Sequence, residues 1–160
     1  MTPVVTNPAL LLRLFVYGTL KRGGRFHDRY CKGVLSIEAA SARGRVQQLP
    51  LPERYLVLVV PEETILARGT ADAAADAHRQ ASVVAEGEAP DPSWSDVPGE
   101  LLTFDDPQTR LPRIDKLEGF RPGAESLYRR VLIPIRCVTG SSVAAWAYVE
   151  GELARRPSST

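Results

Sequence analysis

Cysteine is scarce in this chain of 160 residues: Cys31 and Cys137 are the two, and neither sits in a C-x-x-C pair. That excludes a readable zinc or redox framework and argues against a Cys31–Cys137 disulfide. Charge of one sign is missing as well, since Lys+Arg 20 against Asp+Glu 19 leaves a formal net charge of +1. No molecule-wide field calls for nucleic acid or an anionic membrane, so an electrostatic partner must be recognised locally. Long apolar runs are absent, and the opening MTPVVTNPALLLRLFVYG has no basic region ahead of its short apolar stretch. The expectation is a cytoplasmic protein with reduced thiols and no membrane partner. G-x-S-x-G and H-E-x-x-H are also missing, which removes the commonest signatures of serine and zinc hydrolases.

What is present is an ordinary globular composition, 44% apolar and 24% charged, on a chain suited to one domain. Leu10 to Tyr17 is a nearly continuous apolar run ended by Gly18, the pattern of a strand buried on both faces or lining a barrel. Further short β-like segments are expected at Gly33–Glu38, Gly44–Gln48 and Tyr55–Val60, in an antiparallel meander. Residues 61 to 96 read as an inserted excursion, in which Thr70 or Asp72 caps a helix through the alanines and Gly87 to Pro92 has loop chemistry. Val97–Phe104 resumes as a strand. Asp105 or Asp106 before Pro107 then starts a helix running to about Glu118, with Gly119 as its stop. Leu127–Val138 and Val143–Val149 alternate as paired strands around a turn at Thr139 to Ser142, and the tail ARRPSST is expected to fray. The predicted architecture is α+β, a small mixed β-barrel with one principal helix. A single domain over 10–151 carries the 61–96 insertion, with 1–9 and 152–160 as extensions.

One residue breaks the hydrophobic logic of the helix. Leu111, Ile114 and Leu117 form its apolar stripe, and Glu118, at i+7 from Leu111, lies on the same side. Desolvation and the negative end of the helix dipole both raise the pKa of a carboxyl so placed, which suits a proton-transferring acid/base. The same position also admits a half-exposed helix end, or an ion pair with Arg113, Arg121 or Arg129. Asp115 falls off the stripe and is expected to be solvated.

The stretch GTLKRGGR from Gly18 has the outer glycines of a phosphate-binding loop, but Gly24-Arg25 stands where Lys and Ser/Thr are required. What remains is a strand end whose backbone N–H groups around Gly18 suit a carboxylate or a developing oxyanion, or else a tight turn that needs glycine. Lys21, Arg22, Arg25, Arg29 and Lys32, interleaved with Phe26 and Tyr30, offer a nucleic-acid surface; the near-neutral total charge speaks against it. His27 and Cys31, four apart, lack identifiable further metal ligands, and Trp94 and Trp146 read as packing anchors.

VYGTLKRG, VPGELLTFD, IDKLEGF, YRRVLIPI and AWAYV occur in that order, and the ordered set resembles the gamma-glutamylcyclotransferase-like (AIG2-like) family. The resemblance implies a small β-barrel with flanking helices. It implies further that the loop Tyr17, Gly18, Thr19 and Leu20 receives a γ-glutamyl head, that Glu118 of the LEG motif is the catalytic acid/base, and that Tyr128 and Tyr148 line the pocket or pack between barrel and helix. The implied partner is a small-molecule γ-glutamyl amide. Its own α-amine attacks its γ-carbonyl to release 5-oxoproline and an amine, with no metal and no organic cofactor. Relatives often carry Asn-His after the loop, where Arg25-Phe26-His27 stands here. A catalytically silent ligand-binding or interaction module on the same fold is the alternative reading.

Overall fold

The computed structural model describes residues 10–17, 24, 27–48, 56–85 and 93–155. Its strands are β1 (Leu12–Val16), β2 (Ser36–Gln48), β3 (Leu56–Val59), β4 (Ala67–Arg68), β5 (Ser95–Phe104), β6 (Tyr128–Cys137) and β7 (Ser142–Glu150). Its helices are α1 (His27–Tyr30), α2 (Ala73–Ser82), α3 (Pro107–Glu118) and α4 (Glu152–Arg155). The strands follow the order β1-β5-β2-β3-β7-β6-β4, and a parallel β1–β7 pairing closes β1, β5, β2, β3 and β7 into a five-stranded mixed barrel.

The order corrects the expected meander: β2 pairs with β5, far along the chain, and β7 lies parallel to both β1 and β3. A second correction concerns β2, expected as two segments and found as one strand of 13 residues. Its small residues are what the barrel needs. Ala40 and Ala42 are buried, and a Cβ at Gly44 would run into the Val59 carbonyl. Packing therefore overrides the weak strand propensity of Ala-Ala-Ser-Ala.

β1 is buried on both faces, as its unbroken apolar run predicts. Phe15 points into the barrel with Leu58, Ile133 and Ala147, all at most 1% exposed. Leu12 and Leu14 face outward onto Leu111 and Ile114 of α3. β6 divides in the same way, so Val131 and Ile133 fill the barrel while Tyr128, Arg130 and Leu132 turn to the layer beneath the helices.

Within the stretch read as an excursion, α2 starts where Asp72 accepts the Ala75 N–H at 3.1 Å. It is tied into the fold, because Gln80 accepts from the Arg13 N–H at 2.8 Å and donates to the Leu11 carbonyl at 3.1 Å. Those bonds satisfy the edge of β1 beside the helix. Residues 86–92 and 156–160 lie outside the described residues. Cys31 and Cys137 are buried free thiols, and burial pushes the Cys31 thiol up to about 11. Among the described residues, no helix is long and apolar enough to cross a membrane.

Candidate active site

The helix that carries Glu118 has the predicted limits. Pro107 occupies its first turn, and Gly119 ends it in the left-handed region at φ 70°, with the Phe120 N–H returning to the Asp115 carbonyl at 2.9 Å. Asp106 stands at the N-cap position, but its side chain makes no capping hydrogen bond. Asp106 instead grips the guanidinium of Arg110 through both carboxylate oxygens at 3.1 Å, beneath the 4.4 Å stack of Arg110 on Phe104.

Leu111 and Ile114 are fully buried, and Glu118, one more turn along the same side, is half-buried at the end of the helix. Among the described residues, no hydrogen bond or ion pair holds its carboxylate. Of the cations suggested for it, Arg129 bonds to Glu62 and to the Glu150 carbonyl, and Arg113 lies over the Tyr30 ring. Desolvation without a compensating partner raises Glu118 to about 7. That value suits a group that must both take up and release a proton near neutrality.

Three tyrosines share this region. The Tyr17 hydroxyl donates to the Tyr148 carbonyl at 2.6 Å and accepts from the Leu58 N–H at 2.9 Å, joining the end of β1 to β7 and β3. The Tyr128 hydroxyl donates to the Leu56 carbonyl at 2.6 Å. The Tyr148 hydroxyl instead donates to Oδ1 of Asp115 at 2.5 Å. Burial raises Tyr17 and Tyr148 well above the usual phenol range, and the charge of Glu118 adds to both shifts. The phenols therefore stay protonated, as hydrogen-bonding groups rather than bases. Glu118, Tyr17, Tyr128 and Tyr148 are thus brought together at the seam between the barrel and α3. Gly18, Thr19 and Leu20 follow directly on Tyr17 but lie outside the described residues, as do Lys21, Arg22 and Arg25 of the basic stretch.

Asp115 is not solvated, contrary to expectation. Its side chain is 14% exposed and receives Nε and Nη2 of Arg130 at 2.8 and 3.1 Å, together with the Tyr148 hydroxyl. Arg130, whose side chain is 1% exposed, also donates to Asp76 at 2.9 Å and to the Thr70 carbonyl at 3.0 Å. The Trp146 and Phe120 rings lie 4.8 and 5.3 Å from its guanidinium carbon. Burial works against the charge of Arg130, but the two carboxylates outweigh it and its pKa rises. One signal in the sequence could have shown this cation: the period-two alternation of YRRVLIPI puts Arg130 on the same face as Tyr128 and Leu132. Among the described residues, no group of three or more His, Cys, Asp or Glu side chains is arranged to hold a metal.

Comparisons with known proteins agree with this architecture. The chain resembles a solution structure from Arabidopsis thaliana with a TM-score of 0.55 at 19% identity, over 96% of this chain and 76% of that one. A crystal structure of a gamma-glutamyl cyclotransferase specific to glutathione, from yeast, gives a TM-score of 0.54 at 12% identity, over 89% of this chain and 71% of that one. At these identities the likeness shows the fold. No curated protein matches the sequence. A family model described as "Gamma-glutamyl cyclotransferase, AIG2-like" matches residues 78–159, just over half of the chain and a span that includes α3, β6 and β7. The chain belongs to the gamma-glutamyl cyclotransferase, AIG2-like family.

Proposed function

We propose that the protein is a cyclotransferase that cleaves a small γ-glutamyl amide to 5-oxoproline and an amine, with Glu118 as the acid/base. The observation that carries this reading is the half-buried Glu118 carboxyl, unpaired among the described residues and raised to about 7 beside Tyr17 and Tyr148. Family membership supports a cyclotransferase-like activity.

The chemistry needs few protein groups because the nucleophile belongs to the substrate. Glu118 as carboxylate takes a proton from the α-ammonium, and the freed amine attacks the γ-carbonyl carbon. A C–N bond forms and negative charge builds on the carbonyl oxygen. Glu118, now protonated, gives its proton to the leaving nitrogen as the amide C–N bond breaks. Of the three ammonium protons, one stays on the lactam nitrogen and two end on the released ammonium, so the carboxyl returns to its starting state. Holding the five-membered-ring conformer supplies much of the rate, since an oriented intramolecular nucleophile needs no second reactant. In this reading Tyr17, Gly18, Thr19 and Leu20 cradle the γ-glutamyl head, and backbone N–H groups near Gly18 serve its α-carboxylate or the oxyanion. Tyr128 and Tyr148 form the wall opposite.

The test is product analysis on γ-glutamyl amines, γ-glutamyl amino acids and glutathione in ¹⁸O-water. Cyclisation predicts 5-oxoproline without the heavy isotope and one equivalent of amine. Labelled glutamate would identify a hydrolase, and no product from any of the compounds would favour the binding-module reading.

A further inference from the structure

Beneath the candidate site lies a closed polar cluster whose composition exceeds what packing alone requires. Arg130 of β6 meets Asp115 through two nitrogens, one turn before Glu118 on α3, and meets Asp76 of α2 through a third. Asp76 is itself saturated by the Thr70 N–H at 2.9 Å and the Thr70 hydroxyl at 2.8 Å. Gly69 lacks the Cβ that would crowd the guanidinium, and its N–H donates to the Arg130 carbonyl at 2.8 Å. Two carboxylates against one guanidinium leave the cluster at −1. A hydrophobic set of the same volume would often pack as stably, so the bonds point to control of orientation.

Two consequences reach the site. The last turn of α3 is held to the barrel through Asp115, and with it the direction of Glu118. The proton of Tyr148 is held by Asp115, so the phenol oxygen can offer only lone pairs to any other neighbour. The charge of Glu118 is felt by Tyr17, just after β1, and by Tyr148 of β7, while Asp115 sits one turn before it on its own helix with Arg130 of β6 bound to it.

We propose that Arg130 and Asp115 are positioning residues for proton transfer at Glu118, acting by locking the last turn of α3 and the Tyr148 hydroxyl into one arrangement. The proposal rests on the cyclotransferase reading, and its test separates the two. Asp115→Asn, Tyr148→Phe and Arg130→Gln in the full chain are compared with wild type for 5-oxoproline release, and the Glu118 carboxyl is titrated by ¹³C NMR in wild type, Asp115→Asn and Arg130→Gln. Misplaced groups lose rate far more than binding, so Asp115→Asn and Tyr148→Phe should each lower kcat by about tenfold or more while KM stays within about threefold. The titration midpoint of Glu118 should move down in Asp115→Asn, where the cluster becomes neutral, and up in Arg130→Gln, where it becomes −2. A purely structural loss would not produce opposite signs. If Arg130→Gln fails to fold, Asp115→Asn and Tyr148→Phe decide. Wild-type kcat in folded Asp115→Asn, or an unmoved Glu118 midpoint there, overturns the proposal even where Glu118→Gln is inactive. If wild type forms no 5-oxoproline, the cyclotransferase reading fails separately, and the titration alone decides whether this cluster governs the Glu118 carboxyl.

Discussion

Replacing Glu118 by Gln should make the protein more stable at neutral pH, although the reading above makes the same change the most damaging to activity. In the folded chain the carboxyl keeps its proton up to about pH 7, against an ordinary value of 4.5. Between those pH values the folded state binds a proton that the unfolded state has lost, so stability falls as pH rises through the window. Below about pH 4.5 both states are protonated and the penalty vanishes; above about 7 it is complete. At about 1.4 kcal/mol per tenfold change in proton affinity, the full penalty is roughly 3 kcal/mol. The side chain is only half-buried, and solvent screening reduces the expected gain to about 1–2 kcal/mol. No described hydrogen bond is lost, because none holds the carboxylate. Urea unfolding at pH 8 and pH 4.5 checks this: Glu118→Gln should exceed wild type by that amount at pH 8 and match it within about 0.5 kcal/mol at pH 4.5. A mutant less stable than wild type at pH 8, or a difference that ignores pH, would refute the reasoning. Stabilisation on removing a functional group is the expected signature of a site maintained against stability.

Other outcomes test the fold that positions the site. Gly99→Ala should lower stability by about 1–3 kcal/mol in urea unfolding, since its Cβ would collide with the Val16 carbonyl and the Phe15 ring. Gln80→Leu should cost about 2 kcal/mol in the same measurement, because the Arg13 N–H and the Leu11 carbonyl lose their partner while the apolar change is small.

The parts of this molecule that were legible in the sequence are those set by local chemistry. Pro107 and Gly119 bracket α3 because one fits the first turn and the other accepts φ 70° at the stop. Helical spacing then places Glu118 on the buried side without knowledge of what it faces. β1 could be read because an unbroken apolar run suits a strand with a barrel on one face and helices on the other. The illegible parts depend on contacts distant in sequence. Arg130 meets Asp76 across 54 residues, and no pattern within α2 or β6 names that partner. Chain separation also hid Asp115, whose off-stripe position suggested solvent until β6 and β7, 15 and 33 residues on, supplied a guanidinium and a phenol beside it. β2 looked like two pieces because its small residues are poor strand formers in isolation, yet they fit where β5, β3 and β6 crowd one strand.

The most direct measurement is the rate of 5-oxoproline formation by wild type and Glu118→Gln on the best γ-glutamyl amide, with both proteins shown to be folded. Gln keeps the shape of the side chain and removes its proton transfer. The account predicts turnover by wild type and a loss of at least about a hundredfold in kcat in the mutant, in line with general acid–base catalysis. Equal rates in the two proteins would contradict it.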